Sequence, residues 1–304
     1  MEIRVLRYFL AVVREGSITR AAESLHVTQP TLSRQLKDLE DELGQKLFIR
    51  NYHHITLTEE GRLFRQRAQE IMEMVCKTES EFAAMGNTVG GDIYIGGGES
   101  VAMRLIARVM REVQTAYPDI RFHLYSGIAD DIMERLDKGM LDFGLLIQPA
   151  NTAKYDCIDL PAKDTWGVIM RKDSPLATKK TIDPQDLLGL PLIFSSRQIV
   201  RNQSGMIGYP EWFGGNFDKL NVVSTYNLIY NAALMVEEGL GYVIGLDHLI
   251  HVTGNGNLCF RPLQPKLESG VSIVWKKFQV FSNAAEIFLE ALRHQFTQQQ
   301  DSGE

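Results

Sequence analysis

The sequence predicts an α/β protein with a helical N-terminal head, and three observations carry that prediction. Beyond residue 91, short runs of branched and aromatic residues alternate with amphipathic stretches, as in a sheet covered by helices. The first 44 residues carry helical periodicity only. Between these regions, apolar side chains recur every three or four residues from 64 to 82, the spacing of a long helical seam. At 304 residues the chain exceeds one ordinary core, so two or three domains are expected.

In chain order, Ile3, Leu6, Phe9, Leu10 and Val13 define a first helix that stops at Gly16. Ser17 is the expected N-cap of a short second helix with Ile18, Ala21, Ala22 and Leu25 inward. His26-Val27-Thr28 breaks the pattern. Thr28 then caps a third helix with Pro30 in its first turn, a buried stripe of Leu32, Leu36, Leu39 and Leu43, and Gly44 as its stop. Two short helices joined by a tight turn, the first with small alanines inside so that the second can cross close above it, make a helix-turn-helix.

With the leucines inward, Gln29, Thr31, Ser33, Arg34 and Lys37 are left outward. Arginine pairs with guanine edges, glutamine with adenine, hydroxyls with bases or phosphates, and the helix start itself attracts phosphate. The competing reading is a solvated helical hairpin, since such residues are ordinary on helix surfaces. Residues 46–57, KLFIRNYHHITL, favour the first reading: they predict a short hairpin exposing Lys46, Arg50, His53 and His54, suited to a wing on the DNA backbone or in the minor groove. Adjacent residues on a strand point to opposite faces, so His53 and His54 are not expected to share a metal.

Thr58 is the expected cap of the long helix, with Glu59 and Glu60 complementing its dipole. Its seam is Phe64, Ala68, Ile71, Val75, Thr78 and Phe82. A helix of roughly 40 Å favours a partner helix; the other reading is a helix packed on its own domain. GNTVGG, residues 86–91, predicts a flexible exit.

Composition excludes several classes. A chain 44% hydrophobic and 23% charged is neither disordered nor fibrous. Arg4 and Arg7 interrupt the N-terminus, which lacks the pattern of a secretory signal, and no apolar run is long enough to span a bilayer. Cys76, Cys157 and Cys259 are widely separated and odd in number, against a disulfide framework or a Cys-x-x-Cys site. A cytoplasmic protein without membrane contact is expected. The net charge of −6 is unevenly spread: residues 1–67 hold 11 Lys+Arg against 9 Asp+Glu, leaving −8 on the rest, so an anionic partner is sought at the N-terminus.

In the C-terminal region, DIYIGG, IRFHLYSG, DFGLLIQ, TWGVIMRK, LPLIF, LNVVST, GYVIG and SGVSIVWKK read as strands. SVAMRLIARVMREVQTAY, DDIMERLDKG, LIYNAALMVEEG and NAAEIFLEALRHQF read as helices between them, giving largely parallel sheets. The run GGGES fits neither phosphate-loop pattern, because Val101 stands where the last glycine would be and no Gly-Lys-Ser/Thr follows. Its glycines need a positive φ or a close backbone approach. His248 and His251 lack a third ligand, and no nucleophile motif is present, so neither a metal, a cofactor nor an enzyme is expected.

These residues carry a resemblance. FLAVVREGSITRAAESLHVTQPTLSRQLKDLEDELGQKLFIR and LTEEG resemble the winged helix-turn-helix of LysR-type bacterial transcriptional regulators. IYIGGGES, YPDIRFHLYSG, LDKGMLDFGLLI and EEGLGYVIG are similar to that family's inducer-binding domain, so the likeness spans essentially the whole chain. The resemblance implies a homodimer or homotetramer that binds double-stranded promoter DNA and responds to a small effector. It implies a winged helix-turn-helix over 1–57, a linker helix and hinge over 58–90, and an effector domain over 91–304 like a type 2 periplasmic binding protein. The two lobes of that domain are expected at 91–162 with 267–300, and at 163–266.

The family's DNA contacts fall on Gln29, Pro30, Thr31, Ser33 and Arg34, and on Arg50 in the wing. Its effector cleft falls on Gly98, Ser100 and Val101, with Gln148 in the first lobe and Ser195, Ser196 and Thr225 in the second. Free N–H groups at a helix start suit a carboxylate or other anion. Glu99 repels a simple anion unless it points away or pairs with a cationic part of the ligand. For Ser100, Ser195, Ser196 and Thr225 the alternative role is capping; Arg197 and Arg201 either clamp an acidic effector or solvate a helix face. The sequence departs from the family pattern at Ala107 and Leu246, where proline is common, and at Gly98, where serine is common.

Overall fold

The computed structural model describes residues 1–50, 55–83, 90–196, 209–252 and 256–296. His53, His54, residues 86–89 of the expected hinge, Arg197, Arg201 and the C-terminal tail lie outside these described residues. The chain forms two compact units, Met1–Phe82 and Ala83–Glu304.

The first unit opens with α1 (Ile3–Glu15), which ends at Gly16 in the left-handed region (φ 61°). The Ser17 side chain then accepts from the N–H of Arg20 to start α2 (Ile18–Ser24). His26 takes the positive φ that turns the chain into α3 (Gln29–Leu43). Thr28 sits at the N-cap without a capping hydrogen bond from its side chain; its hydroxyl instead pairs with that of Thr31 at 2.8 Å. Strands β1 (Phe48–Arg50) and β2 (Ile55–Leu57) pair antiparallel. Phe9, Val12, Ala21, Ala22, Leu32, Leu36, Leu39 and Leu47 form the core of this unit.

Leu43 departs from the predicted stripe, being 39% exposed. The inward place one turn beyond Leu36 is taken by Glu40, which is 4% exposed. Its Oε1 accepts from the N–H groups of Leu47 (2.8 Å) and Phe48 (3.3 Å), and its Oε2 from Lys46 Nζ at 3.0 Å. Burial opposes the charge, but these hydrogen bonds prevail and hold the carboxyl below the usual glutamate range.

The long helix α4 (Glu59–Ala83) begins as expected: Thr58 Oγ1 accepts from Gly61 N–H at 2.8 Å while donating to Lys46 O at 2.7 Å. A Cβ at Gly61 would lie 2.1 Å from Leu47 O, so only glycine lets the wing strand pass this close. The seam divides in two. Phe64 packs edge-on to Phe9 (centroids 4.8 Å apart) and Ala68 is fully buried in the unit's own core, whereas Ile71 and Phe82 are exposed.

The second unit is built on a mixed sheet of order β4-β3-β5-β11-β6-β9-β7-β8, with β10 also on β6. Its strands are β3 (Gly91–Gly97), β4 (Ile120–Ser126), β5 (Phe143–Ile147), β6 (Tyr155–Arg171), β7 (Leu192–Ser195), β8 (Val222–Tyr226), β9 (Tyr242–Leu246), β10 (Leu258–Pro262) and β11 (Glu268–Lys276). β3 pairs parallel with β4 and β5, and β7 pairs parallel with β8 and β9. The strand β6 joins these two parallel sets antiparallel: its first part pairs with β11 and its second with β9 and β10. The largely parallel sheet expected from the sequence is therefore split by antiparallel crossovers. Both β10 and the first half of β6 went unread because their apolar residues are interrupted by Asp156, Asp159, Lys163 and Arg261.

Helices α5 (Met103–Ala116), α6 (Ala129–Asp137), α7 (Tyr209–Trp212), α8 (Ile229–Glu237) and α9 (Asn283–Phe296), with short 3-10 turns at Pro175–Thr178, Pro184–Leu187 and Phe217–Lys219, complete the described elements. The lobe around β3 has a core against α5 and α9, including Ile95, Ile106, Phe143, Ile273 and Phe288, and a smaller one against α6. The lobe around β7 likewise has a cluster on each face, one containing Phe194 and Phe213, the other Ile193 and Ala232 of α8.

Candidate functional site

The outward surface of α3 follows from its buried face. Leu32 and Leu36 are fully buried, so Gln29, Pro30, Thr31, Arg34 and Lys37 are exposed and Ser33 half-buried. The Arg34 side chain is 82% exposed, and its Nε lies 3.9 Å from Asp38 Oδ2, too far for a firm ion pair. Its guanidinium therefore stays free to pair with a base edge or phosphate. Arg50 ends β1, opposite Ile55. Glu40 ties α3 to β1 through backbone donors, which fixes the angle between helix and wing.

In the second unit the predicted residues separate into three groups. Ser100 and Val101 lie just ahead of α5, whose first turn starts at Met103, later than the sequence predicts. Ser100 is 7% exposed and accepts from Ala102 N–H at 3.0 Å. The Ser100 hydroxyl and Val101 N–H both donate to the carboxyl of Asp164 on β6. Gly98 is half-buried, and the tight turn here needs close approach rather than a positive φ. A Cβ at Gly96 would lie 2.4 Å from Leu141 Cδ1, while one at Gly98 would lie 3.3 Å from Ile147 Cδ1.

Gln148 turns elsewhere. Its Nε2 donates to Ser272 Oγ at 2.9 Å, and Ser272 Oγ donates to Asp159 Oδ1 at 2.5 Å. These three, with Thr152, Cys157 and Lys163, line a groove of about 660 Å³ that includes neither Ser100 nor Val101. Burial, with the carboxylates of Asp159 and Asp156, pushes the Cys157 thiol up, so it is no activated nucleophile. Ser195 and Thr225 lie on neighbouring strands, where Ser195 pairs with Tyr226 and Phe194 with Thr225. Ser195 and Ser196 are half-buried and Thr225 exposed.

Two acids stand where the lobes meet: Asp164, which the sequence reading did not single out, and Glu99, which it did. Asp164 stands on β6 just before the strand passes from β11 to β9, and it is 5% exposed. Burial raises its pKa, and the hydrogen bonds from Ser100 and Val101 only partly offset this. Glu99 reaches from one lobe to the other: its Oε2 accepts from Ile229 N–H, the first of α8, at 2.5 Å. Tyr226, whose hydroxyl donates to Ile244 O at 2.8 Å, is held protonated by its own burial and by Glu99. The four-residue step from Leu36 was the available signal for Glu40, whereas Asp164, on a strand that also carries Asp156, Asp159 and Lys163, left none. Among the described residues no group of three or more His, Cys, Asp and Glu is placed to hold a metal, and no helix is long and apolar enough to cross a membrane.

Residues 3–62 match the bacterial regulatory helix-turn-helix protein of the lysR family, and residues 86–297 match the LysR substrate binding domain. The Hca operon transcriptional activator HcaR of Escherichia coli (strain K12) is 31% identical over 280 residues, covering 91% of this chain and 92% of that protein. Among solved structures, CbnR complexed with its target DNA superposes with a TM-score of 0.69 at 22% identity, covering 97% of this chain and 99% of CbnR. CbnR alone, a LysR family transcriptional regulator, superposes at 0.70 with 19% identity over the same shares. The helix-turn-helix, the long helix and the two-lobed α/β unit thus occur together in one known order, and the chain belongs to the LysR family of bacterial transcriptional regulators.

Proposed function

We propose that the chain is a sequence-specific regulator that reads promoter DNA through α3 and adjusts its binding to a small effector held between the lobes of the second unit. The row Gln29, Thr31, Ser33, Arg34 and Lys37 over a fully buried leucine stripe carries this reading. Arg34 and Gln29 are assigned to base edges, Thr31, Ser33 and Lys37 to phosphates or bases, Pro30 to the shape of the helix start, and Arg50 to the backbone beside the wing. The DNA complex of CbnR supports the assignment, since the two proteins share a fold. The exposed half of α4, with Ile71 and Phe82, is assigned to a second copy of the chain, giving a homodimer or a tetramer built from dimers.

On the effector side, Gly98, Ser100 and Val101 are assigned to the ligand from one lobe and Ser195, Ser196 and Thr225 from the other, while Gln148 acts from the neighbouring groove. Ligand binding shifts the balance between open and closed lobes, and its differential affinity for the two supplies the energy. The protein is read as a binding protein without catalysis of its own, acting on DNA in the cytoplasm.

Footprinting and affinity on the operator test the reading. Arg34→Ala is expected to weaken specific binding by about 1–3 kcal/mol, and an unchanged affinity overturns the assignment. Ser100→Ala is expected to leave basal operator affinity within about 0.5 kcal/mol while blunting the effector response. Equal loss of both makes Ser100 structural.

A further inference from the structure

Helix starts that face a ligand cleft ordinarily offer free N–H groups to an anion. Here the chain supplies the anions itself. Ahead of α5, the Ser100 hydroxyl and the Val101 N–H are turned to Asp164, while the N–H groups of Met103, Arg104 and Leu105 bond back to Ser100 O, Val101 O and Ala102 O. The start of α8 in the other lobe is occupied by Glu99, which receives the Ile229 N–H at 2.5 Å. An incoming carboxylate would find the first donors of both helices already taken and would face the carboxylates of Asp164 and Glu99.

The same geometry leaves an acceptor unused. Asp164 is 5% exposed, and its Oδ2 is buried without a hydrogen-bond partner among the described residues. A buried carboxylate oxygen that lacks a donor is costly, so a donor brought by a ligand would stabilise the ionised form. Along β6 the neighbouring lysine, Lys163, lies on the opposite face and lines the groove that holds Gln148. The described loops at the carboxyl ends of the parallel strands, where ligands bind in open α/β sheets, add further acids: Asp130 and Asp131 open α6, and Asp247 follows β9.

We propose that the space between the lobes receives a ligand carrying a protonated amine, with Asp164 Oδ2 as its counter-ion and Glu99 as a second carboxylate that turns from Ile229 to the ligand when the lobes part. The proposal rests on the effector reading above and specifies the chemical class. An ammonium donates up to three hydrogen bonds, enough for both acids at once. Exchanging the Glu99 to Ile229 hydrogen bond for one to ligand also couples binding to lobe separation, because that bond joins the two lobes.

The test is thermal stability of the full chain, without DNA because amines bind phosphates, against a series of n-butylamine and 1,4-diaminobutane, succinate, and a neutral diol of equal length. The amines are expected to raise Tm saturably and succinate to leave it unchanged. Asp164→Asn preserves the acceptor for Ser100 and Val101 and is expected to weaken amine binding by at least about tenfold; Glu99→Gln is expected to weaken it in the same direction. A shift with succinate or the diol but not the amines overturns the amine proposal and leaves the effector reading standing. Amine shifts undiminished in both variants also overturn it, by locating the amine elsewhere. No shift with any compound, together with an operator footprint unmoved by all of them, overturns both readings.

Discussion

At the scale of single residues, two buried acids do most to shape the molecule. Glu40 binds the backbone N–H groups of Leu47 and Phe48, at the start of β1, and the ammonium of Lys46, so it joins α3 to the wing. Glu40→Ala strands the Leu47 and Phe48 donors and is expected to cost the first unit about 1.5–3 kcal/mol, read by denaturant unfolding. Because the folded carboxyl is held below the usual range, its contribution is present above the ordinary glutamate pKa of about 4.3. That contribution is lost as pH falls through the lower folded value. The wild-type minus Glu40→Ala stability difference should therefore shrink on acidification below that ordinary value and stay level above it; a difference that grows on acidification contradicts the clamp. Asp164 has the opposite sign, since burial raises its pKa and its charge is a burden that eases as pH falls. Both acids lie at positions a polar residue was free to take by sequence rules alone, and only the partners brought to them set their roles.

At the scale of elements, α4 shows where periodicity stops being informative. Its seam is regular from Phe64 to Phe82, yet Phe64 and Ala68 are consumed by the core of their own unit while Ile71 and Phe82 are not. A 3–4 repeat states which side of a helix is apolar and leaves open what covers each turn of it. Ala68→Leu is expected to overpack the site and cost about 1–3 kcal/mol, whereas Ile71→Ser is expected to change monomer stability by less than about 0.5 kcal/mol and to weaken self-association in sedimentation. If Ile71→Ser unfolds the first unit, the division of the seam is wrong. The boundaries of the helix-turn-helix were legible, since the caps at Ser17 and Thr58 and the stops at Gly16 and Gly44 depend on neighbours within four residues, whereas the inward place of Glu40 and the exposure of Leu43 were not. By contrast β10 depends on its antiparallel pairing with β6, some ninety residues earlier in the chain, and so left no local trace.

At the scale of the whole molecule, the two units have separate cores, so heating is expected to produce two calorimetric transitions rather than one. Leu36→Ala, a cavity in the first core costing about 2–5 kcal/mol, should lower one transition and leave the other in place; a single transition that shifts as a whole would show the units to be thermally coupled. By itself the sequence determined the helical head, its outward polar row and the alternation of strands and helices, because each rests on spacing along the chain that water and the backbone read locally; the family likeness rested on the residues themselves. The tertiary structure alone decided that β6 bridges both lobes, that Gln148 faces a separate groove from Ser100, that Asp164 meets Ser100 and Val101, and that Glu99 reaches the start of α8. Those outcomes join residues 64 to 130 positions apart, and a side chain's partner across such a distance is selected by packing and charge in three dimensions, where periodicity carries no information.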